Sequence, residues 1–577
     1  MPRNKIMMKQ LFAASLVVIV HGTLVSAEKP AERVASQEIG AASTSARENL
    51  SGRRPNIIII MADDMGYSDL GCYGSEIQTP NLDQLAAGGL RFTSFYNTGR
   101  CCPTRASLLT GLYPHQAGVG GMVGKGKAPG YIGRLNDQCV TIAEVLKPAG
   151  YATMAVGKWH VSHFDYKKNF ASHRDTWPLQ RGFDRFYGTV SGGGSYYNPL
   201  GLFRGNQQIT VDTDPEYPAR DFYYTDAISG QASRFLRDHA KKHDPDSDSP
   251  FFMYVAYTAP HWPLHAREED IAKYRKLYQD TGWDKLREQR YRQLIEKLGL
   301  VDRDCKLSTR DARIPSWIDV EDKEWEAERM AVYAAQIDRM DQGIGKITDT
   351  LKQTGQMKDT IVIFLADNGG CDEKLAEWTS KLGIVSGRKG ETVEFGNVKD
   401  PRPGPSNTFA SYGRRWANLS NVPFRRYKSW IHEGGIATPL IVCWPNGIDK
   451  NKQGKLRGQV THTIDLMATC VDLSGGDYPK KRKNQNVTPA EGVSFLPVLN
   501  ANKPIERKQL AWEHFGARGI RQGKWKLVSI SKGEWELYNM QADRTELNNL
   551  AGNHPGLVEK MKSDWQIWAD RVGVFPK

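Results

Sequence analysis

Four apolar runs in the 577-residue sequence each stop at a group of polar side chains able to do chemistry. Asn56 to Met61 leads into Asp63-Asp64, and Tyr151 to Val156 into Gly157-Lys158-Trp159-His160. Phe251 to Tyr257 leads into Ala259-Pro260-His261, and Ile361 to Ala366 into Asp367-Asn368-Gly369-Gly370. Asp63, Asp64, Asp367 and Asn368 offer oxygen donors only, which suits a hard cation, Ca2+ or less readily Mg2+, and not zinc. Three carboxylates meeting without a cation would repel one another. Singly, each also reads as a cap or turn residue, Asp-Asn-Gly being a good turn sequence. His160 and His261 have the side chain whose ordinary titration lies nearest neutrality, which suits proton transfer, although a lone histidine is as readily structural.

A second group surrounds Cys101 in Gly99-Arg100-Cys101-Cys102-Pro103-Thr104-Arg105-Ala106-Ser107-Leu108-Leu109-Thr110-Gly111. Pro103 fits the first turn of a helix that ends at Gly111, so Cys101 falls at the amino end, where free N–H groups favour an anion. Arg105 lies one turn on. The residues alone leave Cys101 open as a nucleophilic thiolate or a buried structural thiol. Lys428, close after Arg425 and Arg426, is either a site base or part of a solvated basic face.

Short apolar runs alternating with amphipathic stretches predict crossover connections and a mainly parallel, buried sheet. In such a sheet ligands sit beyond the carboxyl ends of the strands, so the four polar groups should share one crevice. A long helix is predicted over Trp325 to Gly355, with Met330, Tyr333, Ile337, Met340, Ile344, Ile347 and Leu351 on one face. Between His265 and Asp322 the pattern suggests a charged, aromatic surface excursion with helical patches, and from Cys371 to Asn421 long loops. After Ala511, the segments 517–520, 524–530 and 535–539 read as an antiparallel meander. A last helix follows, carrying Leu557, Met561, Trp565 and Trp568 on one face.

The composition, 40% hydrophobic and 25% charged, is that of a globular chain and excludes collagen-like, low-complexity and wholly disordered classes. The net charge of +13 suits acidic partners, but no Lys/Arg block points to nucleic acid. Residues 1–27 read as a signal peptide, with Arg3, Lys5 and Lys9 before the apolar run Leu11 to Val20 and a small-residue site at Val25-Ser26-Ala27. That run is too short to span a bilayer, so export to the periplasm or medium without a stable membrane anchor is expected. Residues 28–54 read as a flexible lead-in. Eight cysteines lack metal-knuckle spacing and leave one or two disulfides open.

C-x-P-x-R followed by A-S-L-L-T-G resembles the signature of the type I sulfatases. D-D-M-G-Y at 63–67, G-K-W-H at 157–160, A-P-H-x-P at 259–263, D-N-G-G at 367–370 and Y-K-S-W-x-H-E-G-G at 427–435 follow in that family's order. G-K-W-K-L-V at 523–528 and E-L-Y-N at 536–539 are similar to its carboxy-terminal part, and the whole is most like the arylsulfatases of bacteria. The resemblance implies an alkaline-phosphatase-like α/β fold, a large mixed, mainly parallel sheet flanked by helices, as a catalytic domain over 55–505. A small antiparallel sheet with a packed helix would form a subdomain over 506–577.

It further implies that a maturation enzyme oxidises Cys101 to formylglycine, whose hydrated aldehyde attacks sulfur and later collapses to release sulfate. Asp63, Asp64, Asp367 and Asn368 would hold Ca2+, with Asp367 placed to take the nucleophile's proton. Arg105, Lys158 and Lys428 would neutralise the sulfate and the diol, His160 would trigger collapse, and His261 would protonate the leaving oxygen. Cys102 would be a bystander. One departure stands at Ala437, where many relatives carry Arg. The expected reaction is hydrolysis of an aryl sulfate or a sulfated carbohydrate. The alternatives are a formylglycine-dependent phosphodiesterase or phosphonate monoester hydrolase, and a non-catalytic protein that binds sulfated polysaccharide.

Overall fold

The computed structural model describes residues 54–124, 126–163, 173–217, 221–243, 248–375 and 387–574. The predicted signal peptide, and all of the lead-in but Arg54, lie outside the described residues.

Ten strands form the main sheet. They are β1 (Asn56–Ala62), β2 (Leu90–Phe92), β3 (Ala152–Lys158), β4 (Arg185–Thr189), β5 (Leu202–Arg204), β6 (Gln207–Ile209), β7 (Phe251–Ala256), β8 (Thr360–Ala366), β9 (Leu440–Cys443) and β10 (Leu456–Arg457). Their spatial order is β10-β2-β9-β8-β1-β7-β3-β4-β5-β6. The centre, β8-β1-β7-β3-β4, is parallel, with antiparallel β9 and β5 beside it. Ile57 to Ile60, Phe251 to Val255 and Ile361 to Leu365 are all buried, because a sheet covered on both faces needs continuous rather than alternating apolar runs.

Five helices matter most for the site and its support: α1 (Cys101–Thr110), α2 (Tyr224–Lys242), α3 (Arg275–Arg292), α4 (Lys323–Gln353) and α5 (Pro555–Val572). The seven stripe residues of α4 are all buried, as the periodicity predicts, and Asp322 caps the helix by accepting from Trp325 N at 3.0 Å. The stretch before α4 departs from the expected surface excursion. In α3, Trp283 is fully buried against Trp317 and Trp416, with ring centroids 4.6 and 5.2 Å away. Buried Arg290 pairs with Asp69 and Glu76, both at 2.7 Å. Aromatic area and paired guanidinium bring this charged segment inside. The described part of 371–421 is mostly loop, but it contains a helix, Gly413–Ser420, and a two-residue pairing of Glu394–Phe395 with Thr408–Phe409.

A separate antiparallel sheet holds β11 (Leu510–His514), β12 (Ala517–Gln522), β13 (Trp525–Ser529) and β14 (Trp535–Asn539), one strand more than the sequence predicts. Met561, Trp565 and Trp568 of α5 are buried, and Trp565 Nε1 donates to Trp512 O at 3.0 Å. All eight cysteines are free thiols. Among the described residues no helix is long and apolar enough to cross a membrane.

Candidate active site

Sheet register alone puts the acids together. Ala62 of β1 is level with Ala366 of β8, so the residues that follow them, Asp63 and Asp367, leave adjacent strands at one height. Met61, Ala256 and Gly157 are level across β1, β7 and β3, which brings Lys158 and the His261 turn to the same edge. Asp63 N donates to Ala259 O at 3.0 Å and Asp367 N to Ala62 O at 3.1 Å, tying these turns together. The Lys428 loop docks through its backbone, with Lys428 N on Gly370 O at 3.1 Å and Ser429 N on Gly99 O at 2.7 Å.

The ten residues singled out from the sequence thus gather in one cluster, all of them buried. Lys158 Nζ lies 2.5 Å from Asp63 Oδ2. Arg105 reaches from α1 to Asp367 Oδ2 at 2.8 Å and Asp63 Oδ2 at 3.6 Å, and donates to Lys158 O at 3.0 Å. Lys428 Nζ stands 2.7 Å from Asp64 Oδ2, the oxygen that His261 Nε2 approaches at 3.4 Å. Asn368 Nδ2 donates to Asp64 Oδ1 at 2.8 Å, and Asp64 N to Asp367 Oδ1 at 3.1 Å. Ligand atoms of Cys101, Cys102 and His160 all lie within 4.8 Å of one another, with Cys102 Sγ 3.3 Å from His160 Nε2. Asp64 and His160 adopt left-handed backbone conformations, φ 63° and 56°, a strain of order 1 kcal/mol each that concentrates at functional sites.

Whether these donors fit a cation is answered by two oxygens. Asp63 Oδ1 and Asn368 Oδ1 are buried and accept no hydrogen bond, although such groups cost about 1–3 kcal/mol each when left unsatisfied. With Asp64 and Asp367 beside them they make an all-oxygen set that fits a hard divalent ion. Electrostatics agrees. Burial and the charge of Asp63 push Asp367 well above the carboxylate range, whereas at Asp63 burial is outweighed by Lys158, His261 and Arg105, which hold it low. Neighbouring buried carboxylates divide in this way, the one with more positive charge around it keeping its own.

The bases differ in kind. Burial opposes charge on Lys158 and Lys428, yet Asp63 and Asp64 respectively raise both, so both stay ammonium. Burial and then Lys158 lower His160 to about 4, and burial also lowers His261, so both imidazoles are neutral at pH 7. Hydrogen bonding to Cys102 and the charge of Lys158 hold the Cys101 thiol well below its usual range against burial. The site therefore combines a stabilised thiolate position, fixed positive charge and neutral proton carriers.

Sequence reasoning missed the walls. A Cβ on Gly192 would lie 2.7 Å from His160 Nε2, and one on Gly193 2.6 Å from His261 Cε1, so this glycine pair is what lets the loop abut both rings. Glu373 takes Trp262 Nε1 at 2.8 Å and Arg100 Nη1 at 3.0 Å, and stands 3.6 Å from Lys428. Its only signal was its place three residues past the D-N-G-G run. His432 lies outside the cluster, 3.2 Å from Glu536 of β14. Ala437 is fully buried and pairs with Tyr96; the guanidinium over that ring comes from Arg521.

The sulfatase family model matches residues 55–476, and the model of the N-sulphoglucosamine sulphohydrolase C-terminal region matches 425–566. An uncharacterized sulfatase of Schizosaccharomyces pombe is 33% identical over 549 residues, covering 90% of this chain and 94% of that one. An arylsulfatase of Klebsiella aerogenes is 34% identical over 478 residues, covering 79% and 94%. The N-acetylgalactosamine-6-sulfatase of Rattus norvegicus is 26% identical and covers 82% and 71%. Among solved structures, Ps i-CgsB superposes with a TM-score of 0.62 at 23% identity, covering 90% and 93%, and the PsFucS1 sulfatase from Pseudoalteromonas sp. with 0.59 at 18%, covering 94% and 96%. Those two likenesses speak for the fold, which is the alkaline-phosphatase-like one the sequence implied. Family match, relatives and strand-end site together make this chain a member of the sulfatases, a sulfuric ester hydrolase.

Proposed function

We propose that the chain is an exported enzyme that cleaves aryl sulfates or sulfated carbohydrates, with formylglycine made from Cys101 by a maturation enzyme as nucleophile and Ca2+ beside it. The observation that carries this reading is the pair of buried, donorless oxygens on Asp63 and Asn368, next to a thiol whose surroundings favour an anion. Asp63, Asp64, Asp367 and Asn368 would hold the ion. Bound there, a hard cation supplies Lewis-acid polarisation of a sulfate oxygen; formylglycine supplies, when hydrated, a hydroxyl for attack and a second for release.

The protein's own groups do the rest. Arg105, Lys158 and Lys428 oppose the charge of the ester, each worth about 3–4 kcal/mol by comparison with single oxyanion donors in dry sites. Asp367 would accept the proton of the attacking hydroxyl. His261 Nδ1 lies 2.6 Å from the Trp262 carbonyl and is assigned as its donor, so the neutral ring has its lone pair at Nε2, which must first take up a proton before it can pass one to the leaving oxygen. His160 Nε2, neutral and next to the Cys101 turn, is the base for release. Relatives named for aryl, steryl and N-acetylgalactosamine-6-sulfate chemistry support an ester of a ring-bearing alcohol. Neither nucleic acid nor a membrane anchor has a place in this reading.

Mass spectrometry of the tryptic peptide containing Cys101 tests it. Conversion exchanges sulfur for oxygen and removes two hydrogens; a wholly unmodified thiol in fully active enzyme defeats the mechanism.

A further inference from the structure

One carboxylate reaches three of the loops that carry the site. Glu373 Oε2 accepts from Trp262 Nε1 at 2.8 Å and stands 3.6 Å from Lys428 Nζ, while Oε1 pairs with Arg100 Nη1 at 3.0 Å. Arg100 is the residue before Cys101, and Trp262 is the residue after His261. A single side chain therefore touches the nucleophile's turn, the His261 turn and a fixed positive charge. It is 30% exposed, which puts it at the rim of the buried cluster.

The segment that presents Glu373 is pinned from elsewhere. Gly370 N donates to Asn421 Oδ1 at 2.8 Å, Cys371 N to the Tyr412 hydroxyl at 3.1 Å, and Ser411 Oγ to the Glu373 carbonyl at 2.7 Å. Burial works against charge on Glu373, but Lys428 and Arg100 hold it below the usual carboxylate range. Held ionised, it has no proton to give, and it is not one of the four candidate cation ligands. What it can do, it does through the groups it holds.

Those groups share a side of the site. Lys428 Nζ at 2.7 Å and His261 Nε2 at 3.4 Å approach the same oxygen, Asp64 Oδ2. The Trp262 indole packs on the His261 ring with centroids 4.3 Å apart, and the Trp262 carbonyl lies 2.6 Å from His261 Nδ1. Fixing the indole at Nε1 thus fixes the imidazole from its face and from its edge. An ammonium on a flexible four-carbon stem keeps one place only where its surroundings choose it, and a second carboxylate beside Lys428 does so.

We propose that Glu373 is the positioning residue for departure of the alcohol, setting Lys428 and, through Trp262, His261 toward the leaving oxygen. This rests on the sulfate-ester reading above.

The test compares the matured wild-type enzyme with Glu373→Gln, Glu373→Asp and Trp262→Phe on 4-nitrophenyl sulfate, phenyl sulfate and methyl sulfate, whose alcohols leave with increasing difficulty. The quantity read is kcat/KM, which covers the steps up to that departure. Glu373→Gln keeps the shape and an acceptor for Trp262 but removes the charge beside Lys428. It should lower kcat/KM about threefold on 4-nitrophenyl sulfate and about thirtyfold or more on the other two, because only the poorer alcohols need His261 and Lys428 as they leave. Glu373→Asp, which restores the charge, should recover at least about threefold on phenyl sulfate. An equal penalty on all three esters, as a loosened fold would give, or no penalty on any, overturns the role. Trp262→Phe loses the indole donor but keeps a ring beside His261, and it decides the matter if Glu373→Gln folds poorly: a penalty that grows along the series supports the role, and an equal or absent one overturns it. A wild type that releases no sulfate from any ester removes the functional reading and this one with it, whereas an active wild type with equal penalties in the variants removes the role of Glu373 alone.

Discussion

The strand-end cluster and a second cluster beneath the C-terminal sheet both bury carboxylates against cations, yet they are completed differently. In the second, Lys526 of β13 is wholly buried between Glu433 at 2.9 Å and Glu546 at 2.8 Å. Glu433 also accepts from the Tyr96 hydroxyl at 2.9 Å, and its N–H donates to Glu546 at 2.9 Å. Burial raises Glu433, but Lys526 and Arg544 outweigh it and keep it ionised. Each carboxylate there faces a cation of the chain. At the strand ends Asp63, Asp64 and Asp367 also face cations of the chain, but one oxygen of Asp63 and that of Asn368 accept no hydrogen bond, and Asp367 is pushed upward by burial and by Asp63. The first pattern ties the C-terminal sheet to the short helix that begins at Glu433; the second keeps two buried oxygens in reach of a hard cation.

The sharpest way to part them is to remove one member of each. Cys101→Ala should cut kcat on 4-nitrophenyl sulfate by about 10^4-fold or more while leaving the urea midpoint close to wild type, because the nucleophile holds no structural ion pair. Full turnover by that variant would end the assignment. Lys526→Met should do the opposite. Stranding two buried carboxylates costs about 3–5 kcal/mol, read as a lower urea midpoint, with kcat of the folded fraction far less affected than in Cys101→Ala.

That asymmetry also explains what the sequence could tell. The strand-end residues were legible because continuous apolar runs announce buried strands, and a parallel sheet forces their carboxyl ends to one edge. The register of Ala62 with Ala366 brings Asp63 and Asp367 to one height, and the other residues singled out from the sequence join them in one cluster. The Lys526 cluster was not legible: Glu433 is far in sequence from Lys526 and Glu546, and the three owe their meeting to how the C-terminal sheet packs on the short helix that begins at Glu433. The same holds for Trp283 and Arg290, whose charged surroundings read as surface and whose burial comes from tertiary partners. Gly192 and Gly193 carry no side chain to announce their contacts.

Chelation should separate the clusters next. Dialysis against a chelator should lower turnover by at least about 10^2-fold, Ca2+ should restore it and Zn2+ should not, and added Ca2+ should raise the melting temperature. Undiminished turnover by protein shown metal-free by elemental analysis would remove the cation. The Lys526 cluster has no such dependence, so Lys526→Met should gain no more from Ca2+ than wild type does.

Acid should weaken the fold through groups belonging to neither set of ion pairs. His160 and His265 are lowered to about 4, and His514 to about 3, each chiefly by burial. A histidine with a depressed native pKa gives stability that is present above the unfolded value near 6.5 and is lost as pH falls below it, because the unfolded chain takes the proton first. By pH 5 each should cost on the order of 1–2 kcal/mol, seen as a falling urea midpoint between pH 7 and 5. A flat midpoint over that range would show that these rings are not buried as described.

The smallest effect concerns placement alone. Gly192→Ala sets a methyl 2.7 Å from His160 Nε2, and Gly193→Ala sets one 2.6 Å from His261 Cε1, while Gly552→Ala meets nothing within 4 Å. No left-handed backbone is needed at any of the three, so sterics is the only variable. Each of the first two variants must tilt a buried imidazole by some tenths of an ångström, which should lower kcat about tenfold while shifting stability by less than about 1 kcal/mol. Gly552→Ala should match wild type in both. Because the two rings have different proposed tasks, release for His160 and leaving-group protonation for His261, the variants should respond differently to the leaving group. Gly193→Ala should lose more on methyl sulfate than on 4-nitrophenyl sulfate, whose alcohol leaves readily without a proton, and Gly192→Ala should lose equally on both. Equal losses in both variants on both esters would mean that the two histidines do not divide the proton work in this way.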